Sequence, residues 1–117
     1  MGDGMQVFTL SSVPPTLNTM FPTAGRVRVK SAEYRAWRTS AAWEIKAQRP
    51  IIYDGPIAVA VEMRRPTANS DIDNRIKAAL DLLTGLAFHD DRQVHLVSAC
   101  WSENVDGTRI TVDRMEG

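Results

Sequence analysis

The segment Asp71-Ile72-Asp73-Asn74 sets two carboxylates one residue apart, directly before a run with helical periodicity. Residues two apart in an extended stretch project to the same side. The spacing therefore predicts a carboxylate pair able to share one hard divalent cation or to bridge two. The start of the following helix would offer free backbone N–H groups and a positive dipole end, which tolerate carboxylates and attract phosphate. Lys77, four residues after Asp73, falls on the same helix face. It suits a surface ion pair of about 0.3–0.5 kcal/mol, or a cation aimed at charge developing on a phosphoryl group. Asp90-Asp91 follows after a short return through Gly85. Gathering several carboxylates costs repulsion that a bound cation turns into attraction. Plainer readings stay open on these residues alone: Asp73 as a helix cap, Asp71 as a loop residue, Asp90-Asp91 as a solvated turn.

The charge around these residues is unevenly spread. The 117-residue chain has 14 basic and 14 acidic residues and no formal net charge. Between Arg26 and Arg49 there are seven basic and two acidic residues, whereas between Asp71 and Asp91 there are five acidic and two basic. An acidic knot beside a basic surface is what a metal-dependent phosphodiesterase needs; two solvated faces of unlike sign are the alternative. The candidate phosphate contacts are Arg35, Arg38, Lys46 and Arg49 on one helix face, the pair Arg64-Arg65, and Arg75.

Length and composition limit the scaffold. One domain spanning residues 1–117 is expected, with an ordinary 44% hydrophobic and 24% charged content. The lone Cys100 excludes an internal disulfide and a thiolate zinc site. No apolar run approaches the roughly 20 residues of a membrane span. The first residues lack the pattern of a signal peptide, so a reducing cytoplasm is the expected compartment.

Strands are predicted over Gln6–Leu10, Arg26–Lys30, Ile57–Arg65, Val94–Trp101 and Thr108–Arg114, with Ser11–Gly25 a loop and Asp106-Gly107 a turn. A helix capped by Ser31 runs to about Gln48, its apolar side carrying Tyr34, Trp37, Ala41 and Ile45, and Pro50 stops it. A second helix runs from about Asp73 to Thr84, with Ile76, Ala79, Leu80 and Leu83 as its buried stripe and Gly85 closing it. The order β-β-α-β-α-β-β predicts an α+β fold, a mixed sheet with two helices packed on it. Trp37, Trp43 and Trp101 are expected in the core or at a subunit interface, with base-stacking platforms as the alternative, and His95 and Cys100 in structural positions.

The series Asp71-x-Asp73-Asn74, Lys77, Leu80-Asp81-x-Leu83-Thr84 and Asp90-Asp91-x-Gln93-Val94, with Pro14-Pro15-Thr16-x-Asn18 near the start, resembles the RusA family of Holliday-junction resolvases over essentially the whole chain. The resemblance implies a RusA-like fold and a Mg²⁺-dependent endonuclease that resolves four-way DNA junctions as a homodimer, in recombination and repair. It places Asp71, Asp73 and Asp91 on the family's essential carboxylates, which would hold the metal, and Lys77 on its essential lysine. Asp90 falls on the less critical first position of the pair, and Asn74 on a position holding the helix start. A phage or prophage origin is also expected. Two alternatives carry the same fold: a module that binds branched DNA without cutting, and a less selective Mg²⁺-dependent nuclease.

Overall fold

The computed structural model describes residues 4–16, 23–24, 27–28 and 32–115. Its main sheet has four strands: β1 (Met5–Leu10), β4 (Ile57–Met63), β5 (Val94–Trp101) and β6 (Thr108–Arg114), in the spatial order β1-β6-β4-β5. β5 runs parallel to β4, whereas β6 is antiparallel to both β4 and β1, so the sheet is mixed. Two helices, α1 (Ala32–Ala47) and α2 (Asp73–Leu83), complete the α+β architecture.

The central place of β4 follows from its sequence. Ile57, Val59, Val61 and Met63 alternate with smaller or polar residues, and all four are at most 1% exposed. They meet Phe8, Leu10, Ile110 and Val112 from the other strands, Ala41 and Ile45 from α1, and Ala79, Leu82 and Leu83 from α2. Both helices therefore cover the same face of the sheet.

Several boundaries differ from expectation, each for a local reason. β4 stops at Met63 rather than Arg65. Pro66 has no N–H for the ladder and restricts the residue before it. Asp106-Gly107 does not close a hairpin, because β4 lies between β5 and β6. Thr23–Ala24, in the segment expected to be a loop, forms β2 and pairs antiparallel with β3 (Val27–Arg28), a shorter strand than Arg26–Lys30. Arg26, Lys30, Asn18 and the proposed cap Ser31 lie outside the described residues.

α1 buries Tyr34, Ala41 and Ile45 as its spacing predicts, but the stripe of α2 is rotated. Ala78, Ala79, Leu82 and Leu83 are buried, while Ile76 and Leu80 are only half-buried. α2 has two neighbours, the sheet beneath it and Tyr34 of α1 against Ala78, so its apolar face is wider than one stripe. The tryptophans divide. Trp37 packs on the core and donates from Nε1 to Ser12 Oγ at 2.9 Å, and Trp101 packs against the core edge. Trp43 is 69% exposed and belongs to neither core cluster. His95 and Cys100 are also exposed, on β5.

The two sheet edges are treated differently. Along β1, side chains from α1 and the segment after it bond to strand backbone and loop. Gln48 donates to the Thr9 carbonyl at 2.7 Å and accepts from its N–H at 2.9 Å, and Glu44 accepts from the Ser11 N–H at 2.8 Å. Gln6 exchanges two bonds with the Ile51 backbone. Among the described residues, β5 has no neighbouring strand on its outer side.

The turn before β6 joins three segments. Gly107 accepts from the Arg64 N–H at 2.8 Å, and Thr108 Oγ1 donates to the Ser12 carbonyl at 2.7 Å. A Cβ at Gly107 would collide with the Leu10 carbonyl and the Ser11 backbone. Gly107→Ala is therefore expected to destabilise the fold by about 1–3 kcal/mol, read as a lower urea midpoint with an unchanged m-value.

Candidate active site

The first helical turn of α2 begins on the acidic pair, and its backbone corrects the sequence reading. Ile72 lies in the right-handed helical region at φ −79° and ψ −42°, and Asp73 is the first residue of the helix. The Asp71–Asp73 pair is thus not strand-like, and Asp73 is not the N-cap. Both aspartates are exposed. Asn74 Nδ2 donates to Asp71 Oδ2 at 3.3 Å, tying the residue before the helix to its first turn.

Lys77 does not pair with Asp73. Its ammonium lies 3.4 Å from Asp81 Oδ1, one turn further along α2, and 3.5 Å from Asp91 Oδ2, on the short 3-10 turn Asp91–Gln93. Asp81 first of all, with Asp91 assisting, holds the ammonium above its usual range. The Lys77 side chain is 48% exposed and that of Asp91 46%, so both face solvent while bonded. The Lys77–Asp81 spacing of four was readable on a helix; the partnership with Asp91 spans 14 residues and depends on the fold.

The turn bearing Asp91 is built by a residue to which sequence reasoning gave no role. Gln93 Oε1 accepts from the backbone N–H groups of His89 at 2.8 Å and Asp90 at 3.0 Å. Its Nε2 donates to the carbonyls of Tyr53 and Gly55, both at 2.9 Å. Asp90 closes a capping box with Gln93 by accepting from the Arg92 N–H at 2.9 Å. That backbone bond, followed by the Arg92 guanidinium, lowers the pKa of Asp90. His89 Nε2 lies 2.9 Å from Asp54 Oδ1 on the adjacent surface. The only sequence signal for Gln93 was its place in the motif Asp90-Asp91-x-Gln93.

The basic candidates fall into two groups. Arg64, Arg65 and Arg75 line a cavity of about 570 Å³ beside Pro15 and Trp37. Within it, Arg75 Nη1 donates to the Pro14 carbonyl at 2.7 Å, which holds the Pro14-Pro15 loop against α2. Burial lowers the Arg75 pKa and Asp71 opposes that shift. Arg64 Nη1 donates to the Glu103 carbonyl at 3.2 Å, and Arg65 stands 5.6 Å from the centre of the Trp101 ring. Arg35, Arg38 and Lys46 line a separate cavity of about 490 Å³ on α1. Arg49 follows that helix with φ +57°, a left-handed helix end.

Residues 12–113 match the model of the family described as Endodeoxyribonuclease RusA. The chain belongs to this family. No curated protein matches the chain significantly. The RusA match includes both aspartate pairs, Lys77 and the basic groups just described.

The metal expectation can be compared with the side chains. Among the described residues, no three His, Cys, Asp or Glu side chains gather closely enough to hold an ion. The donors at hand are nevertheless exposed carboxylates, the chemistry a hard cation takes. Mg²⁺ commonly binds through one or two carboxylates and retains several waters, so a closed protein cage is not required. The residues fit in donor type and exposure, without a preformed cage.

Gln93→Ala removes four hydrogen bonds at once. Unfolding free energy is expected to fall by about 1–3 kcal/mol, and the His89 and Asp90 amides should exchange with solvent much faster. Unchanged exchange at both amides would show that the turn holds without Gln93.

Proposed function

We propose that this RusA-family chain is a Mg²⁺-dependent endodeoxyribonuclease that resolves four-way DNA junctions by paired, symmetric nicks as a homodimer, in DNA recombination and repair in the cytoplasm. The observation that carries the reading is Lys77, a half-exposed ammonium between two carboxylates within the matched region. Asp71, Asp73 and Asp91 are the residues that would hold the metal. Bound there, a hard divalent cation supplies charge relief at the phosphoryl oxygens and acidifies water.

The remaining roles belong to the chain itself. Lys77, fixed by Asp81, is placed to neutralise negative charge as it develops on a phosphate, a contribution that grows where water is displaced. Gln93 fixes the turn that carries Asp91. Arg35, Arg38 and Lys46 on α1, with Arg64, Arg65 and Arg75 in the other cavity, would meet phosphates and orient the substrate without reading bases.

Two features support the homodimer. β5 is an eight-residue edge with no Asp, Glu, Lys, Arg or Pro, so it lacks common devices that block strand addition. The sheet face away from the helices presents Met5, Val7 and Leu96, each about half exposed. A two-fold axis at such a surface gives two identical sites, the symmetry that paired nicks require.

The test uses a synthetic four-way junction and linear duplex controls, with Mg²⁺ and with EDTA. Paired nicks confined to the junction, abolished by EDTA, are expected. Equal cutting of linear duplex would assign a less selective nuclease, and tight junction binding without cutting would assign a binding module. Asp73→Asn and Lys77→Met should each lower cleavage by roughly 100-fold or more while retaining junction binding. Normal cutting by Asp73→Asn would remove that carboxylate from the site.

A further inference from the structure

Trp43 stands on the outer side of α1 and is 69% exposed, although a tryptophan gains more from burial than most side chains. Lys46 Nζ lies 5.6 Å from the centre of its ring, at cation–π distance. Together they border the cavity of about 490 Å³ that Arg35 and Arg38 also line, and among the described residues no carboxylate lines it. Arg35, Arg38 and Lys46 recur at helical spacing, spreading three cations over roughly 16 Å of helix.

An open aromatic ring framed by cations calls for a partner that is planar and anionic. An apolar peptide would satisfy the ring and leave three cations to desolvate. A paired duplex would satisfy the cations but keep its base faces stacked out of reach. A single strand satisfies both, since each base has a free face and each phosphate a charge. One contact ties the groove to the candidate active site. Arg38 Nη2 lies 3.5 Å from the Asp81 carbonyl, and the Asp81 side chain holds Lys77.

We propose that Trp43 is a stacking platform for an unpaired base, with Arg35, Arg38 and Lys46 holding the phosphates of the same strand. This rests on the nuclease reading for its substrate class and adds to it a preference for DNA with unstacked bases. Such bases occur where strands exchange or fray and are absent from continuous duplex. Trp43 is thus a specificity residue that touches DNA away from the cleaved bond.

The test measures tryptophan emission and binding for the wild type, Trp43→Ala and Trp43→Phe. The probes are a 12-residue oligothymidine, a matched duplex, a four-way junction and phosphatidylserine vesicles. Oligothymidine should quench wild-type emission, and Trp43→Ala should lose that part of the quench and bind the single strand roughly tenfold more weakly. The loss on duplex should be smaller, and Trp43→Phe should recover much of the affinity. A matching urea midpoint confirms that the variants fold. Unchanged single-strand affinity in Trp43→Ala overturns the proposal. So does quenching by vesicles but not by oligothymidine, which assigns the face to membranes. A dimer that falls apart in Trp43→Ala overturns it too, because the ring then covers a second copy. The two readings separate cleanly. Junction cleavage with no effect of Trp43 on any DNA defeats the platform alone. Trp43-dependent quenching by oligothymidine, in a protein that cuts no junction, supports the platform and defeats the resolvase reading.

Discussion

Carboxylates drawn together on a protein surface repel one another unless positive charge stands between them. In this chain the Lys77 ammonium meets that requirement for Asp81 and Asp91. The interaction links α2 to the 3-10 turn before β5, two segments otherwise joined through the core and the Gly85 return. Both ion pairs are partly exposed, so their contribution to stability is small. Their importance is positional: they set where an ammonium stands relative to an acidic surface, and the turn carrying Asp91 is held independently by Gln93. Gln93 thus holds the turn, and the Asp91 carboxylate on that turn helps position the cation.

The scaffold makes that arrangement possible by placing both helices on one face of the sheet. β4 lies inside the sheet, and its parallel partner β5 starts directly after the Asp91 turn. The chain leaves β4, passes through the arginine pair and the acidic pair, runs along α2 and returns beside Tyr53, where Gln93 fastens it. The opposite edge is closed by Glu44 from α1 and by Gln48 just after it. Closing one edge and leaving the other as an uncharged strand gives the sheet a direction for growth, which a two-fold partner can use once and then terminate.

Much of this was legible in the sequence. The strand Thr108–Arg114 and the buried side of α1 follow from alternation and from 3,4,4 spacing, because a covered sheet enforces both periods, while Val94–Trp101 keeps its predicted bounds although it is mostly exposed. The family was legible too, through motif residues spaced within about one helix and one turn. Three features were not. The Asp71–Asp73 geometry depends on Ile72 entering the helix early, which no periodicity reports. The rotated stripe of α2 depends on Tyr34, a residue from another helix. Trp43 looks like a core residue by type, yet it stands two positions from Ala41 and Ile45, on the other side of the helix. Only the rotated stripe is decided by a tertiary neighbour; the outward side of Trp43 follows from the helical spacing itself, which residue type had overridden.

The absence of net charge is compatible with binding a polyanion because the charges are sorted. Cations on α1 line one cavity, arginines from the end of β4 and from α2 line another beside Glu33 and Asp106, and Asp81 and Asp91 flank Lys77. At physiological salt the field of a charge fades within about 8 Å, so an approaching phosphate responds to the local cluster more than to the total. A chain without net charge that carries one cation-lined cavity, and a second whose three arginines stand beside Glu33 and Asp106, favours substrates that engage both at once. Branched DNA, whose strands leave a common point in several directions, meets that condition more readily than a straight duplex.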